Sequence, residues 1–327
     1  MTFPNVFCLD ERDTLGLATY LRRAGWLDHP DELLDARRAG QGNMNYVLRV
    51  RTRARSFILK QSRPWVEKYP RIAAPWDRAL VEAKFYQTVQ PFDAVAACMP
   101  RLLGFDAEAR ILQLSDLGES ETLERLYWGE TFGPGELTAL KMYLSRLHAA
   151  FRDPDLRVPF ANAEMRALNH EHIFRVPFDG LKGLNLDSIT PGLAALAGQL
   201  QGDAAVQRRA EWLGQLYLGE GECLVHGDYF PGSWMRTTDG IGIIDPEFCF
   251  FGRAEFDWGV MLAHLHLARL PAESLVPPGL DLTLVKAFAG VEILRRLIGV
   301  AQLPLRYGLE EKRLLLCLGR DLLLANG

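Results

Sequence analysis

The sequence predicts an α+β fold, in which an N-terminal antiparallel sheet with one helix precedes a larger, mainly helical C-terminal part. Apolar runs at 46–50 and 56–60 flank a short basic turn, a pattern typical of a β-hairpin. Apolar residues at helical spacing follow Asp77, which we interpret as the N-cap of a helix. Three later segments show the same helical spacing: 136–152, 255–270 and 288–299.

The rest of the N-terminal part is less regular. Residues 11–39 carry small groups of leucines, and we predict helical pieces there. Residues 61–76 are rich in Pro, Trp and charge, which favours a loop or an insertion over a regular element. The segments 99–106 and 110–117 predict two short strands that flank a turn.

The composition is that of an ordinary globular protein, with 48% hydrophobic and 24% charged residues among 327, enough for one large or two modest domains. A net charge of −4 provides no basic surface for nucleic acid or for an anionic membrane. No apolar run approaches the roughly 18–20 residues of a membrane span, and the N-terminus does not resemble a secretory signal. Five scattered cysteines without metal-ligand spacing indicate reduced thiols. We therefore expect a cytoplasmic protein with no nucleic-acid and no membrane partner.

Two acidic clusters occur in the segment 224–251. His226-Gly227-Asp228 comes first, and Asp245-Pro246-Glu247 follows a tight turn at 237–240 and a predicted strand. Strands joined by so short a turn lie side by side, so we expect Asp228 and Asp245 to face one cleft. Such acids are commonly turn residues and nothing more. However, one carboxylate that orients a hydroxyl and two that share Mg²⁺ suit phosphoryl transfer.

The spacing of these residues separates the two interpretations. Protein kinases place a second metal-binding side chain five positions after their catalytic Asp, and a metal-binding Asp further along the chain. Here Ser233 stands five positions after Asp228, and Asp245 stands 17 positions after it. The pattern favours a kinase over a set of unrelated turn residues.

The N-terminal part carries a second set of candidates. A Gly/Asn-rich turn with Gly42, Asn43 and Asn45 precedes the hairpin and can bring backbone N–H groups against phosphates. Lys60 ends the second strand of the hairpin, and Glu82 on the following helix is its candidate partner, as kinases require. A solvated strand-end lysine and a surface glutamate would look the same in isolation, so the order of the motifs carries the argument.

Together these motifs resemble the aminoglycoside phosphotransferase and choline kinase superfamily, and within it the methylthioribose kinase group most. The residues that carry the resemblance follow the pattern HGDxxxGS and IDPEFxFxG between His226 and Gly252, and the N-terminal part adds GNxN, ILKQ and DRALVE. The pattern departs from the wider superfamily at Tyr229-Phe230, where Leu-His is usual, and at Ser233, where most members have Asn. The methylthioribose kinase group shares that Ser.

The resemblance implies a two-lobed protein-kinase-like fold that uses ATP and Mg²⁺. It implies a nucleotide-binding lobe at 1–117 and a catalytic and acceptor-binding lobe at 118–327. Asp228 would be the catalytic base, and Asp245 and Glu247 the metal ligands, with Ser233 as a further candidate. Backbone groups near Leu114, Asp116 and Leu117 would bind adenine, and Asp257 would support the catalytic loop.

The acceptor is predicted from charge and from the same resemblance. Arg295 and Arg296 are adjacent on a mostly apolar helix, where at most one can reach solvent, and the resemblance implicates the pair in substrate binding. Residues 262–327 contain eight Lys or Arg against six Asp or Glu, which argues against a polycationic aminoglycoside and against choline. A neutral sugar fits, and the resemblance implies phosphorylation of the C1 hydroxyl of 5-methylthioribose or a related 5-modified pentose.

Other functions stay open from the sequence. A kinase of another small alcohol or of an aminoglycoside has the same nucleotide motifs. A kinase-shaped nucleotide-binding protein without turnover is the alternative of a different class, and a homodimer is left open beside a monomer. The retention of Lys60, Asp228, Asp245 and Glu247 together favours an active phosphotransferase with an alcohol group as acceptor.

Overall fold

The computed structural model describes residues 6–27, 32–40, 44–153, 155, 160, 162–180, 184–272 and 275–325. The chain packs into two compact units. The first comprises Met1–Ser120 together with Gly242–Glu247, and the second comprises Glu121–Ile241 together with Phe248–Gly327. A short segment after residue 241 therefore returns to the first unit, and the chain then continues in the second.

The first unit contains a five-stranded antiparallel sheet. Its strands are β1 (Leu33–Arg38), β2 (Tyr46–Thr52), β3 (Ser56–Gln61), β6 (Leu102–Asp106) and β7 (Ile111–Ser115). Their order in the sheet is β1-β2-β3-β7-β6. The predicted hairpin is β2–β3, and the two predicted strands after residue 99 are β6 and β7. Alternate residues of β2 and β3, such as Leu48, Val50 and Phe57, are fully buried and form one core.

Helices of the first unit are α1 (Thr14–Arg23), α2 (Arg78–Val89) and α3 (Asp93–Ala96). The prediction of helical pieces over 11–39 is correct for α1 and wrong for β1, which pairs along its length with β2. Because the backbone groups of β1 complete that ladder, the tertiary pairing overrides the local pattern of leucines. Asp77 precedes α2, but its side chain makes no cap bond and instead accepts hydrogen bonds from Arg110.

The prediction of an irregular loop over 61–76 is also wrong. Two short strands pair there, β4 (Trp65–Val66) and β5 (Tyr69–Ala73). Every residue of β5 is exposed, so the strand has no buried face and leaves no alternation in the sequence.

Helices dominate the second unit, as predicted. They are α4 (Glu136–Ala150), α5 (Ala163–His170), α6 (Val176–Asp179), α7 (Leu186–Ile189), α8 (Leu193–Gln201), α9 (Ala204–Leu218), α10 (Ala254–Leu267), α11 (Leu282–Ile298) and α12 (Leu309–Leu324). A 3₁₀ segment, Leu123–Trp128, precedes α4, and a π-helical turn, Glu171–Arg175, joins α5 to α6. The helix α11 is buried along nearly its whole length and packs on α10 and α12. A side chain at Gly259 of α10 would place its Cβ 2.5 Å from the Cβ of Phe288, so glycine permits this close packing.

Short strands complete the fold. They are β8 (Ser120–Thr122), β9 (Cys223–Val225), β10 (Trp234–Thr237), β11 (Gly240–Ile243) and β12 (Phe250–Gly252). Strand β9 pairs with β12, and β10 lies between β8 and β11. The predicted tight turn at 237–240 joins β10 to β11. Among the helices that the structure describes, none is both long and apolar enough to cross a membrane.

Candidate active site

Lys60 is the centre of a charged cluster in the first unit. Its Nζ lies 2.7 Å from Oε2 of Glu82 on α2 and 2.6 Å from Oδ1 of Asp245. Burial of the Lys60 side chain lowers its pKa, but the carboxylates of Asp245 and Glu82 outweigh burial and raise the pKa above the usual value. Lys60 is therefore a permanent cation that holds two carboxylates from distant parts of the chain.

The two carboxylates differ in exposure. Burial raises the pKa of Glu82 to about 7, and the nearby charge of Asp245 acts in the same direction against the lowering effect of Lys60. By contrast, 48% of the Asp245 side chain is exposed. Asp245 follows β11 with φ 63°, in the left-handed region that few residues other than glycine adopt. Such backbone strain is found mainly where surrounding contacts hold it for a functional reason.

Glu247 is held by two other side chains of the first unit. The Nδ2 of Asn45 donates to Oε2 of Glu247 at 2.8 Å, and the Nε of Arg78 lies 3.4 Å from the same oxygen. Arg78 is buried and also donates to Oδ1 of Asn45 and to the carbonyl oxygens of Met44 and Pro75. Sequence analysis missed Arg78, which ties the end of the Gly/Asn-rich turn to Glu247.

The remaining nucleotide candidates also belong to the first unit. Leu114 lies on β7, opposite Ile58 of β3, and Asp116 and Leu117 follow that strand. The carboxylate of Asp116 is 3.0 Å from Nη2 of Arg49, an ion pair that anchors the chain after β7. Gly42 and Asn43 lie outside the described residues.

In the second unit, Asp257 organises the loop that carries Asp228. The Asp257 side chain is fully buried, and its two oxygens accept hydrogen bonds from the backbone N–H groups of His226 at 2.8 Å and Gly227 at 3.0 Å. The Nε2 of His148 on α4 lies 2.9 Å from Oδ2 of the same carboxylate. This arrangement is the supporting role predicted for Asp257, and His148 is a partner that the sequence did not single out.

The turn that carries Asp228 is tightly packed and is closed by a polar contact. Gly227 adopts φ 86°, and a Cβ there would lie 2.2 Å from the carbonyl oxygen of Phe248, so only glycine fits. The hydroxyl of Ser233, which is buried, donates to the carbonyl oxygen of Asp228 at 3.0 Å and closes the loop. Its role as a metal ligand stays a prediction.

Asp228 itself faces the two predicted arginines. The Nη2 of Arg296 is 3.2 Å from Oδ1 of Asp228, and the Nη1 of Arg295 is 4.0 Å from it. Burial raises the pKa of Asp228, and the two guanidinium groups act in the opposite direction. The side chains of both arginines are buried, so neither of them reaches solvent. Both are held by Glu292, three and four residues earlier on α11.

Comparison with known proteins identifies the family. The phosphotransferase enzyme family (APH) matches residues 35–276, well over half of the chain.

The chain belongs to this family.

Individual phosphotransferases support the assignment. Proteins named methylthioribose kinase, from Exiguobacterium sibiricum and Erwinia tasmaniensis, are 28% identical over 254 residues and 26% identical over 275 residues. The matches cover 74% and 79% of this chain but 63% and 66% of the relatives, so the chain spans about two thirds of their length. The predicted resemblance to this superfamily is confirmed.

Solved structures show the same fold. The crystal structure of LicA in complex with AMP has a TM-score of 0.55 to this chain at 14% identity, and the match covers 94% of this chain and 97% of that one. The predicted α+β class of the kinase-like type, with an N-terminal antiparallel sheet and a helical C-terminal part, is confirmed.

The candidate site residues of this chain fall into two groups. The first unit brings together Lys60, Glu82, Asp245, Glu247 and Asn45, and the second brings together Asp228, Arg295 and Arg296. The predicted roles of these residues, and the predicted shared cleft for Asp228 and Asp245, stay predictions. Glu292 was missed although a signal was present, because an acidic residue on an apolar helix, three and four positions before two arginines, can contact both.

Proposed function

We propose that this chain is an ATP- and Mg²⁺-dependent kinase that phosphorylates a hydroxyl of a small, sugar-like acceptor. The acceptor that fits best is 5-methylthioribose or a related 5-modified pentose, phosphorylated at its C1 hydroxyl. The observation that carries the proposal is the contact of Lys60 with both Glu82 and Asp245. A strand lysine paired to a helix glutamate is the arrangement by which kinases hold nucleotide phosphates.

The carboxylates of the first unit suit Mg²⁺. Asp245 is half-exposed, and Glu247 has one oxygen bound by Asn45 and Arg78. Among the described residues no three His, Cys, Asp or Glu side chains form a metal cluster, so any ion would need further ligands. Mg²⁺ commonly takes one or two carboxylates and completes its shell with water and substrate phosphates. When bound, it would neutralise charge on the transferring phosphoryl group.

Asp228 suits the role of general base. Its carboxylate is 19% exposed and sits in a loop that the buried Asp257 holds through two backbone N–H groups. In this role Asp228 orients the acceptor hydroxyl and takes up its proton, while Lys60 in the first unit neutralises phosphate oxygens of the nucleotide. Arg295 and Arg296 supply positive charge next to the base, where negative charge passes to the acceptor oxygen.

Two observations support a sugar-like acceptor. The relatives described above are named methylthioribose kinase, and they match most of this chain. The guanidinium groups of Arg295 and Arg296 beside Asp228 are hydrogen-bond donors, and the hydroxyl oxygens of a polyol can accept from them.

The test is nucleotide consumption against a panel of acceptors that comprises 5-methylthioribose, other 5-substituted riboses, choline and kanamycin. We expect acceptor-dependent ADP formation with the 5-substituted riboses, which Asp228→Asn lowers by roughly 10²-fold or more without loss of ATP binding. Asp239→Asn, in the exposed turn between β10 and β11, is the matched control and should retain wild-type turnover. If the protein binds nucleotide but turns over no acceptor, the proposed kinase activity is wrong and the protein is a nucleotide-binding protein. If it turns over kanamycin alone, the proposed sugar-like acceptor is wrong.

A further inference from the structure

Glu292 contacts both of the arginines that lie beside Asp228. Its Oε2 lies 3.0 Å from Nη1 of Arg295, and its Oε1 lies 2.6 Å from Nε of Arg296. The Glu292 side chain is 1% exposed. Burial acts to raise its pKa, but the charges of Arg295 and Arg296 hold the pKa well below the usual value. Glu292 is therefore a buried anion shared by two cations.

A second layer of hydrogen bonds fixes Glu292 from the side of α10. The Nε2 of His264 is 3.2 Å from Oε1 of Glu292, and its Nδ1 is 2.6 Å from the hydroxyl oxygen of Tyr127. Burial lowers the pKa of His264 to about 4, so the ring is neutral near pH 7 and carries one N–H. Since the Glu292 carboxylate can only accept, that N–H is on Nε2, and Tyr127 donates to Nδ1.

Arg296 bridges Glu292 and Asp228. Its Nε faces Glu292 at 2.6 Å while its Nη2 faces Asp228 at 3.2 Å, and its guanidinium lies over the ring of Phe230 at 4.7 Å from the centroid. A guanidinium is planar, so a partner at Nε and a ring against its face together set the direction of Nη2. Phe230 is one of the positions that depart from the usual superfamily pattern, and here it packs against Arg296.

The charges of the cluster also indicate why Glu292 is needed beside Asp228. Two cations and two anions, Asp228 included, make this cluster neutral. Both guanidinium groups already approach Oδ1 of Asp228, and without Glu292 this carboxylate would be their nearest anion, so they would form a closer ion pair with both of its oxygens. A base held in such a pair loses its access to an acceptor hydroxyl.

We propose that Glu292 is a positioning residue of the phosphotransfer site, which fixes Arg295 and Arg296 on the side of Oδ1 of Asp228 and thereby leaves Oδ2 available to take the proton of the acceptor. The inference rests on the proposed function, because it assigns Asp228 as the base. Glu292 acts through both arginines, and His264, which accepts a hydrogen bond from Tyr127, donates to its carboxylate.

The test is a double-mutant cycle on acceptor kinetics with Glu292→Gln, Arg296→Lys and both together. We expect Glu292→Gln to lower kcat/KM for the acceptor by roughly 10–100-fold, and the double variant to lose less than the product of the two single losses, because coupled residues are not additive. The KM for ATP should stay at the wild-type value, since the nucleotide candidates lie in the first unit. Glu310→Gln is the matched control, because Glu310 pairs with Arg313 three residues later on an exposed helix face.

A variant that keeps the negative charge separates the positioning of the arginines from the balance of charge. It also provides a second test if Glu292→Gln does not fold. Glu292→Asp keeps the anion but withdraws it by one methylene, so we expect a loss of roughly tenfold in acceptor kcat/KM. Wild-type kinetics in Glu292→Asp, or strictly additive effects in the cycle, would overturn the inference while the kinase itself stands. A wild-type protein without acceptor-dependent turnover would instead overturn the proposed function.

Discussion

The Nζ of Lys60 lies 2.6 Å from Oδ1 of Asp245, although 185 positions separate the two residues in the chain. The contact lies within the first unit, because Gly242–Glu247 belongs to that unit although the residues before and after it in the chain belong to the second. The chain thus delivers Asp245 and Glu247 to the strand that carries Lys60. The nucleotide candidates of the first unit can therefore be tested separately from Asp228, which belongs to the second unit.

Replacing Lys60 by Met should raise the KM for ATP by at least tenfold and lower kcat by roughly 10²-fold. The reason is that Glu82 and Asp245 lose the cation they share and the phosphates lose a positive partner. Steady-state kinetics with varied ATP measure both effects. Lys286→Met, in the second unit, should leave the KM for ATP unchanged, and an unchanged KM in Lys60→Met would show that Lys60 does not contact the nucleotide.

Arg78→Lys is expected to destabilise the protein by about 3 kcal/mol, because a single ammonium cannot replace a buried guanidinium with several acceptors. Arg78 donates to Asn45 and to three backbone carbonyl oxygens, and it lies against Glu247. Urea unfolding followed by fluorescence measures the loss. The control is Arg55→Lys, since Arg55 is exposed and makes one long bond to Trp26. Equal midpoints for the two variants would contradict a structural role for Arg78.

The elements that the sequence predicted correctly each bury side chains at a regular spacing. The strands β2 and β3 bury alternate residues, and α4 buries one face, so each leaves a period in the sequence. The strands β1 and β5 leave none, because β1 is defined by its pairing with β2 and β5 is exposed throughout. A local pattern cannot report such tertiary pairing.

The residues of the candidate site also divide into those that the sequence predicted and those that it did not. Asp228, Asp245 and Lys60 could be singled out because their residue types and order match a chemistry, whereas Arg78 and His148, which hold neighbouring side chains, could not. Arg78 contacts Glu247, which is distant from it in the sequence, and His148 contacts Asp257, which lies 109 positions later. Neither contact follows from a spacing, since it depends on which helices pack together.

Asp257→Asn should cost about 2–4 kcal/mol in the free energy of unfolding and should lower kcat. The substitution turns one acceptor oxygen into an N–H donor that faces the N–H groups of His226 and Gly227 or the ring of His148. Equilibrium unfolding and turnover measure the two effects. Asp281→Asn is the matched control, because Asp281 caps α11 and Asn caps a helix equally well. If Asp257→Asn matches this control in both measurements, Asp257 does not hold the catalytic loop.

The stability of the protein should fall in acid in a way that depends on His264. Burial lowers its pKa from 6.5 to about 4, so between these values the unfolded chain binds a proton that the folded protein does not. This contribution to stability is fully present above pH 6.5 and decreases as the pH falls toward 4. From pH 7 to pH 5 the wild type should lose about 2 kcal/mol more than His264→Gln, given about 1.4 kcal/mol for each pH unit.

The comparison with His264→Gln isolates this one group. Tyr127, Glu292, Arg295 and Arg296 face the ring in the wild type and remain in the variant, so their own titrations contribute to both unfolding curves. Equilibrium unfolding at several pH values gives the difference in free energy directly. Parallel curves for the two proteins between pH 7 and pH 5 would mean that folded His264 takes up its proton over the same pH range as it does in the unfolded chain. The Nδ1 of His264 would then also carry a proton, and Tyr127 could no longer donate to it.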